Sequence, residues 1–264
     1  MRTYKFYPLF LYILLISVQG LIAQDLSAFK KEQLVEKLDT LPYRILLPLN
    51  YSQTSNYPLV VFLHGSGERG NDNEAQLTHG AGTFLNNDIR QRYPAVVVFP
   101  QCASKGYWHD IQSEMTADGR KITYSPNAEN NAQQQLLSRL LDHLLSEYNV
   151  DRSRIYVGGL SMGAMGTFEL VRRHPDTFAA AFAICGGANT EIADQICETP
   201  WWIFHGEDDP VVPQGESKKI HDALLEAGAG VRLTIYPEVQ HESWNNAFKE
   251  PDLFPWLFKQ QLKK

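Results

Sequence analysis

Apolar residues in this chain fall in short consecutive runs separated by longer amphipathic stretches. The runs are residues 57–64 (YPLVVFLH), 95–99 (AVVVF), 154–157, 178–184, 201–204 and 231–236. Consecutive apolar positions, without polar alternation, mark strands covered on both faces, as in a parallel sheet. Residues 42–49 read as a further strand at the sheet edge, followed by a polar turn over 51–58. Between the runs the period changes to 3.6. Over residues 129–148, Leu136, Leu137, Leu140, Leu141, Leu144, Leu145 and Tyr148 make a wide apolar stripe, with Arg139, Asp142, His143 and Glu147 off it. Further helices are predicted over 162–174, stopped by Pro175, over 215–227, ended near Gly228 and Gly230, and over 245–262. Strands alternating with helices specify a doubly wound α/β fold, a mostly parallel sheet with helices on both faces. In such sheets ligands bind at the carboxyl ends of the strands.

The start of the chain breaks this pattern. Arg2 and Lys5 precede an apolar run over 6–18, then small or neutral residues, then Gln24 and Asp25. This is the order of a signal peptide, assigned to residues 1–23 with the cut after Ala23, or alternatively after Gly20. The run is short for a membrane span, and an uncleaved N-terminal anchor is the competing reading. The expectation is a secreted or periplasmic protein, not inserted in the membrane once the segment is removed, with one domain over residues 25–264. A hydrophobic content of 44% with 20% charged residues is ordinary for a globular core. The net charge of −6 gives a nucleic-acid partner no electrostatic support. Three cysteines, Cys102, Cys185 and Cys197, cannot form a complete disulfide framework, and no Cys-x-x-Cys pair suggests structural zinc. They leave one bridge plus a free thiol, or three buried thiols.

Gly159-Leu160-Ser161-Met162-Gly163 follows the run 154–157 and opens the helix 162–174. Gly-x-Ser-x-Gly between a strand and a helix reads as a nucleophile elbow: a sharp turn projects the serine, and side chains two residues away on either side would collide. A serine hydroxyl needs a base, and in this arrangement acid and histidine follow it in that order. His221 sits in a charged helical segment and reads as a solvated surface residue. His241 follows the run 231–236 in a loop and is taken as the base. Glu207, Asp208 and Asp209 all follow the run 201–204. Asp209 precedes a rigid Pro-Val-Val-Pro turn and is taken as the acid, with Asp208 and Asp194 as alternatives. An oxyanion needs backbone N–H donors, here Met162 and, from His64-Gly65-Ser66-Gly67, Ser66, with Gly65 as its alternative. His64 reads as a structural hydrogen-bonding residue. Gln101, Tyr107, Trp108 and Trp244 lie in loops after strands or beside His241. They either contact substrate, the aromatics stacking on a sugar or phenolic ring, or anchor their loops in the core.

These segments, with Pro100-Gln101-Cys102, Ile184-Cys185-Gly186-Gly187, Phe204-His205-Gly206-Glu207-Asp208-Asp209 and His241-Glu242-Ser243-Trp244, stand in the order of a known group. From about Tyr57 onward the chain resembles secreted bacterial α/β-hydrolases of the phospholipase/carboxylesterase and dienelactone hydrolase group. It is also similar to feruloyl-esterase-like and polyhydroxybutyrate-depolymerase-like enzymes, whose relatives often carry the label of peptidases. The resemblance implies an α/β-hydrolase fold and an esterase that forms an acyl-enzyme on Ser161 and uses no cofactor or metal. Its substrates would be short-acyl or aryl esters, small or linked to plant polysaccharide. Ser161 departs from the cysteine nucleophile of dienelactone hydrolases proper, which disfavours that reaction, and Ala164 stands where many relatives have another glycine. A peptidase of prolyl-oligopeptidase type is a rival, disfavoured by the lack of a propeller domain. A non-catalytic binding protein on the same fold is another, disfavoured by the intact Ser, Asp and His. No large lid is expected. The stretch between residues 184 and 201 is short and polar, and residues 104–126 mix aromatic and charged positions without an evident apolar face.

Overall fold

The computed structural model describes residues 25–36, 39–117, 119–125 and 131–262; the segment read as a signal peptide lies outside the described residues. Strands β1 (Lys30–Glu36), β2 (Asp39–Leu46), β3 (Tyr57–Leu63) and β4 (Val96–Pro100) precede a separate pair, β5 (Ile111–Thr116) and β6 (Gly119–Tyr124). Strands β7 (Val150–Leu160), β8 (Ala180–Ile184), β9 (Trp201–Gly206) and β10 (Val231–Tyr236) complete the set. The helices are α1 (Ala81–Leu85), α2 (Asn87–Arg92), α3 (Ala132–Glu147), α4 (Met162–Arg173), α5 (Ala193–Ile196), α6 (Gln214–Glu226), α7 (Trp244–Ala247) and α8 (Leu253–Lys259).

Eight strands form one sheet in the order β1-β2-β4-β3-β7-β8-β9-β10. All pairs from β4 through β10 are parallel, and only β1–β2 and β2–β4 are antiparallel. Each buried strand serves two cores in alternation, because successive side chains point to opposite faces. On β3, Leu59, Val61 and Leu63 join α3, α4 and α6 on one face, while Val60 and Phe62 join α1 and α8 on the other. Strand β4 does the same with Val96 and Val98 against Val97 and Phe99. The aromatic weight of the first core centres on Phe168 of α4, stacked on Trp201 of β9 at 4.5 Å between ring centres. This is the α/β-hydrolase fold.

Three elements differ from the sequence expectation. Strand β10, read as covered on both faces, forms the far edge of the sheet and is only partly buried. The strand predicted over 42–49 is not at the edge: β1 pairs outside it along its whole length. Strand β1 reads KKEQLVE and is mostly exposed, so no apolar run announces it. The helix predicted over 245–262 is two short helices, α7 and α8, interrupted around Pro251, which lacks the N–H a continuous helix needs. Cys102, Cys185 and Cys197 are all unbridged. Burial pushes the Cys102 thiol up to about 12, which makes it an inert packing group.

Phe168 is fully buried, so Phe168→Ala should lower unfolding stability by about 3–5 kcal/mol. Urea titration should show a lower midpoint with an unchanged slope.

Candidate active site

Strand β7 ends at Leu160, and Ser161 turns directly into α4 with φ 52° and ψ −118°. A non-glycine residue at positive φ is strained and is held there only by its surroundings. The Ser161 N–H donates to Ile184 O at 2.8 Å, tying the turn to the end of β8. The flanking glycines are sterically required. A Cβ at Gly163 would lie 2.0 Å from Leu63 O, and one at Gly159 would lie 2.4 Å from Gly163 O. Both are contacts with backbone, which no rotamer change relieves.

His241 reaches the site from the loop after β10. Its Nε2 is 3.0 Å from Ser161 Oγ, and its Nδ1 is 2.7 Å from Asp209 Oδ2. Asp209 is fixed from the turn after β9. Its Oδ1 accepts the N–H groups of Val211 and Val212 at 2.8 and 2.9 Å. Burial pushes its carboxyl up, but hydrogen bonds from His205, His241 and the Val212 N–H outweigh burial and hold it well below the usual carboxylate range. Asp208 and Asp194 are exposed, and neither has a hydrogen bond to His241. His221 bonds to Asp222, its neighbour on α6. One residue of this site was not singled out from the sequence: His205, fully buried. Its Nε2 donates to Asp209 Oδ2 at 3.1 Å and to Val212 O at 2.9 Å, and its Nδ1 lies 2.6 Å from Ser217 Oγ. The available signal was a histidine continuing the apolar run 201–204, a position where a buried polar group must find partners.

Ser66 and Met162 are each the first residue of a helical turn, so their N–H groups have no acceptor within it. Both line one cavity with Ser161, of about 310 Å³. Gly65 is close beneath: a Cβ there would be 3.6 Å from Ser161 Cβ. The loop is held in place by His64. Its Nδ1–H donates to Gly65 O at 2.6 Å, and its Nε2 accepts the Cys102 N–H at 2.9 Å. These partners require the neutral imidazole, and burial lowers its pKa to about 4.

Two residues expected to meet substrate do not. Gln101 and Trp108 are fully buried. Gln101 bonds to the Asn73 N–H, Glu68 O and Asp72, and the Trp108 indole N–H donates to His64 O at 3.2 Å. Both therefore brace the glycine loop from below. Tyr107 does line the cavity. Trp244 packs edge-on to the His241 ring at 5.6 Å. The opposite cavity wall is the β5–β6 hairpin. Residues 104–126 do carry an apolar face: Ile111, Ile122 and Tyr124 pack with Met165 and Val212. Strand alternation had sorted into two faces what reads in sequence as a mixture.

The Cys185 thiol, Asp209 and His241 also place ligand atoms within 4.8 Å of one another. As a metal site the set is poor. Burial raises the Cys185 thiol far above its ordinary range, and a metal would need it as thiolate. Asp209 and His241 already bond to each other.

Residues 50–254 match the Phospholipase/Carboxylesterase family. The chain is 31% identical over 159 residues to a bifunctional acetylxylan esterase/xylanase from Neocallimastix patriciarum, covering 60% of this chain and 20% of that one. It is similar in structure to a thermostable esterase, with TM-score 0.79 and 33% identity over 89% of this chain and 64% of the other. A ferulic acid esterase from Anaeromyces mucronatus shares the fold, with TM-score 0.63 and 17% identity over 87% of this chain and 88% of the other. The match spans 29% of an acetylxylan esterase from Emericella nidulans and 20% of the Neocallimastix patriciarum enzyme, so the chain covers well under two thirds of these curated relatives.

The neutral, buried state of His64 has a consequence for acid stability. The unfolded chain binds a proton at this residue near pH 6.5, whereas the fold refuses it until about pH 4. Stability is therefore full above about pH 6.5 and falls on acidification toward pH 4, by about 1.4 kcal/mol per pH unit from this group. Urea midpoints at pH 7 and pH 5 should show a shallower pH dependence for His64→Gln than for the wild type. Parallel pH dependences would contradict the assignment.

Proposed function

Because the chain belongs to the phospholipase/carboxylesterase family, we propose that it is a serine carboxylesterase working through an acyl-enzyme on Ser161. The reading rests on one observation above all: Ser161, His241 and Asp209 are linked by hydrogen bonds of 3.0 and 2.7 Å at an open cavity.

His241 Nε2 takes the Ser161 proton as Oγ attacks the ester carbonyl. The ionised Asp209 accepts the Nδ1–H bond, which fixes the tautomer and stabilises the imidazolium as it forms. The tetrahedral oxyanion receives the N–H groups of Ser66 and Met162, aided by the N-terminus of α4. His241 then passes its proton to the departing alcohol. Water repeats the cycle: His241 takes its proton, hydroxide adds to the acyl carbon, and the carboxylic acid leaves as Ser161 recovers its hydrogen.

The cavity favours short-acyl or aryl esters. About 310 Å³ is at the lower end of small-ligand sites. It is walled by Ile111, Ile122, Met165 and Val212, with Tyr107 at its edge. The acetylxylan and ferulic acid esterases among the similar proteins support esters on plant polysaccharide as the substrate class. Export belongs to the same proposal, from the segment 1–23. Among the described residues no helix is long and apolar enough to cross a membrane.

Ser161→Ala and His241→Ala should each reduce kcat by about four to six orders of magnitude, since the three residues act as a unit. Asp209→Asn should cost about ten-thousand-fold through loss of tautomer control. A fluorophosphonate probe should label the wild type and not Ser161→Ala. Full turnover in purified His241→Ala would refute the assignment. On substrates, soluble acetate and ferulate esters should be hydrolysed faster than long-chain triglyceride emulsions, with no rise in rate when an interface forms. The reverse order, measured side by side, would show the cavity to be misread.

A further inference from the structure

The chain carries a net charge of −6, yet among the described residues the charged side chains lining the cavity beside Ser161 are two arginines, Arg69 and Arg120, and no carboxylate. They arrive from opposite walls. Arg69 follows the glycine loop, where its Nε donates to Ser66 O at 2.9 Å and its guanidinium lies 4.5 Å from the Tyr107 ring centre. Arg120 lies on β6. In the hairpin register Met115 pairs with Arg120, Ser113 with Ile122 and Ile111 with Tyr124. Alternation therefore puts Arg120 on the same face as Ile111 and Ile122, the face over the cavity. The other face carries its own ion pair, Glu114 with Lys121 at 3.6 Å.

Neither arginine pairs with a carboxylate among the described residues. Arg120 Nε donates to Ser113 Oγ at 2.9 Å and Nη1 to Val211 O at 3.1 Å. Arg69 Nη1 donates to Gly106 O at 3.3 Å. These bonds hold each guanidinium by Nε and Nη1 and leave both Nη2 groups without a protein acceptor among the described residues. Two guanidiniums held by Nε and Nη1 with donors to spare, Arg69 half-buried and Arg120 exposed at the cavity mouth, are the arrangement that binds a carboxylate through charge-assisted bonds.

We propose that the substrate is an ester bearing a second, free carboxylate, bound by Arg120 and Arg69 while the ester group meets Ser161. This deepens the esterase reading and rests on it. The carboxylate stands either on the acyl part, as in a hemi-ester of a dicarboxylic acid, or on the alcohol part, as in an ester on an acidic saccharide.

The test compares kcat/KM for 4-nitrophenyl hydrogen adipate with its isosteric adipamate, which tests the acyl side, and for 4-acetoxybenzoate with 4-acetoxybenzamide, which tests the alcohol side. At low ionic strength the charged member of one pair should be preferred by about tenfold or more. High salt should shrink that ratio. Arg120→Gln should reduce the ratio about tenfold, Arg120→Lys should restore part of it, and Arg120→Glu should invert it. Arg139→Gln, on the exposed face of α3 and paired with Glu36, should leave it unchanged. Equal rates for both members of both pairs, unaffected by Arg120 substitution, would overturn the proposal and leave the esterase reading intact. If no ester is turned over, the esterase reading fails. Calorimetric binding of both pairs to Ser161→Ala then decides the charge preference: tighter binding of a charged member supports it, and equal binding within both pairs overturns it.

Discussion

The close approach of the α4 N-terminus to the end of β3 is the constraint from which the site follows. Gly163 sits so near Leu63 O that a methyl group there would overlap it. Only this contact brings the first turn of α4, with the Met162 N–H, up to the loop that begins at His64. The backbone of Ser161 is strained to make the turn. Its N–H bond to Ile184 O and the packing of the fully buried Phe168 on Trp201 hold that strain in place. Strain stored at a reactive residue is stable only where the neighbouring elements over-determine it. Here the strands β3, β7 and β8 do so together.

Around this turn the buried polar groups form two braces that meet at Ser161. One runs from the Cys102 N–H through the His64 ring to Gly65 O in the glycine loop, with the Trp108 indole on His64 O and Gln101 on Glu68 O beside it. The other runs from Ser217 through His205 to Asp209 and on to His241. In both, a histidine without contact to the cavity orients backbone or carboxylate by bonding through both ring nitrogens. Such networks are costly if any member is left unpaired, and so each fixes a single geometry. The consequence for chemistry is that Asp209 has four donors around it before substrate arrives, and the orientation of His241 is set by a carboxylate that cannot itself rotate.

The sheet was legible because parallel strands buried on both faces leave continuous apolar runs, and β3, β4, β7, β8 and β9 each have one, whereas β10, at the far edge, is only partly buried and interleaves Arg232 and Thr234 with apolar residues. Ser161, Asp209 and His241 were legible for a related reason: each follows such a run, at the end of the sheet where loops converge. Strand β1 was not, because an edge strand open to solvent has no reason to be apolar. The hairpin β5–β6 was misjudged for the opposite reason. Its two faces differ, but alternation over six residues, with a charged residue on the apolar side, averages to a featureless polar segment. Gln101 and Trp108 were assigned to substrate because sequence places a residue in a loop but does not say on which side of the loop its side chain lies. Burial decides that, and for Trp108 it depends on α3 and α4, for Gln101 on the loop that carries Glu68, Asp72 and Asn73.

Polarity of the cavity depends on the same misjudged hairpin. Without β5 and β6, the glycine loop would face solvent with Arg69 as a lone surface cation, and a surface cation in water discriminates weakly between charged and neutral ligands. With the hairpin in place, Ile111 and Ile122 pack against Met165 and Val212, and Arg120 shares their side of the ribbon. Two guanidiniums then face a partly apolar space from different elements, one braced on the glycine loop and the other on the β5–β6 ribbon. Arg69 cannot shift without moving Ser66, whose carbonyl it holds. Arg120 depends on the hairpin, and its bond to Val211 O attaches that hairpin to the turn that carries Asp209. An anion bound between them would therefore pull on the two loops that carry Ser66 and Asp209, which couples recognition of charge to the alignment proposed for the reaction.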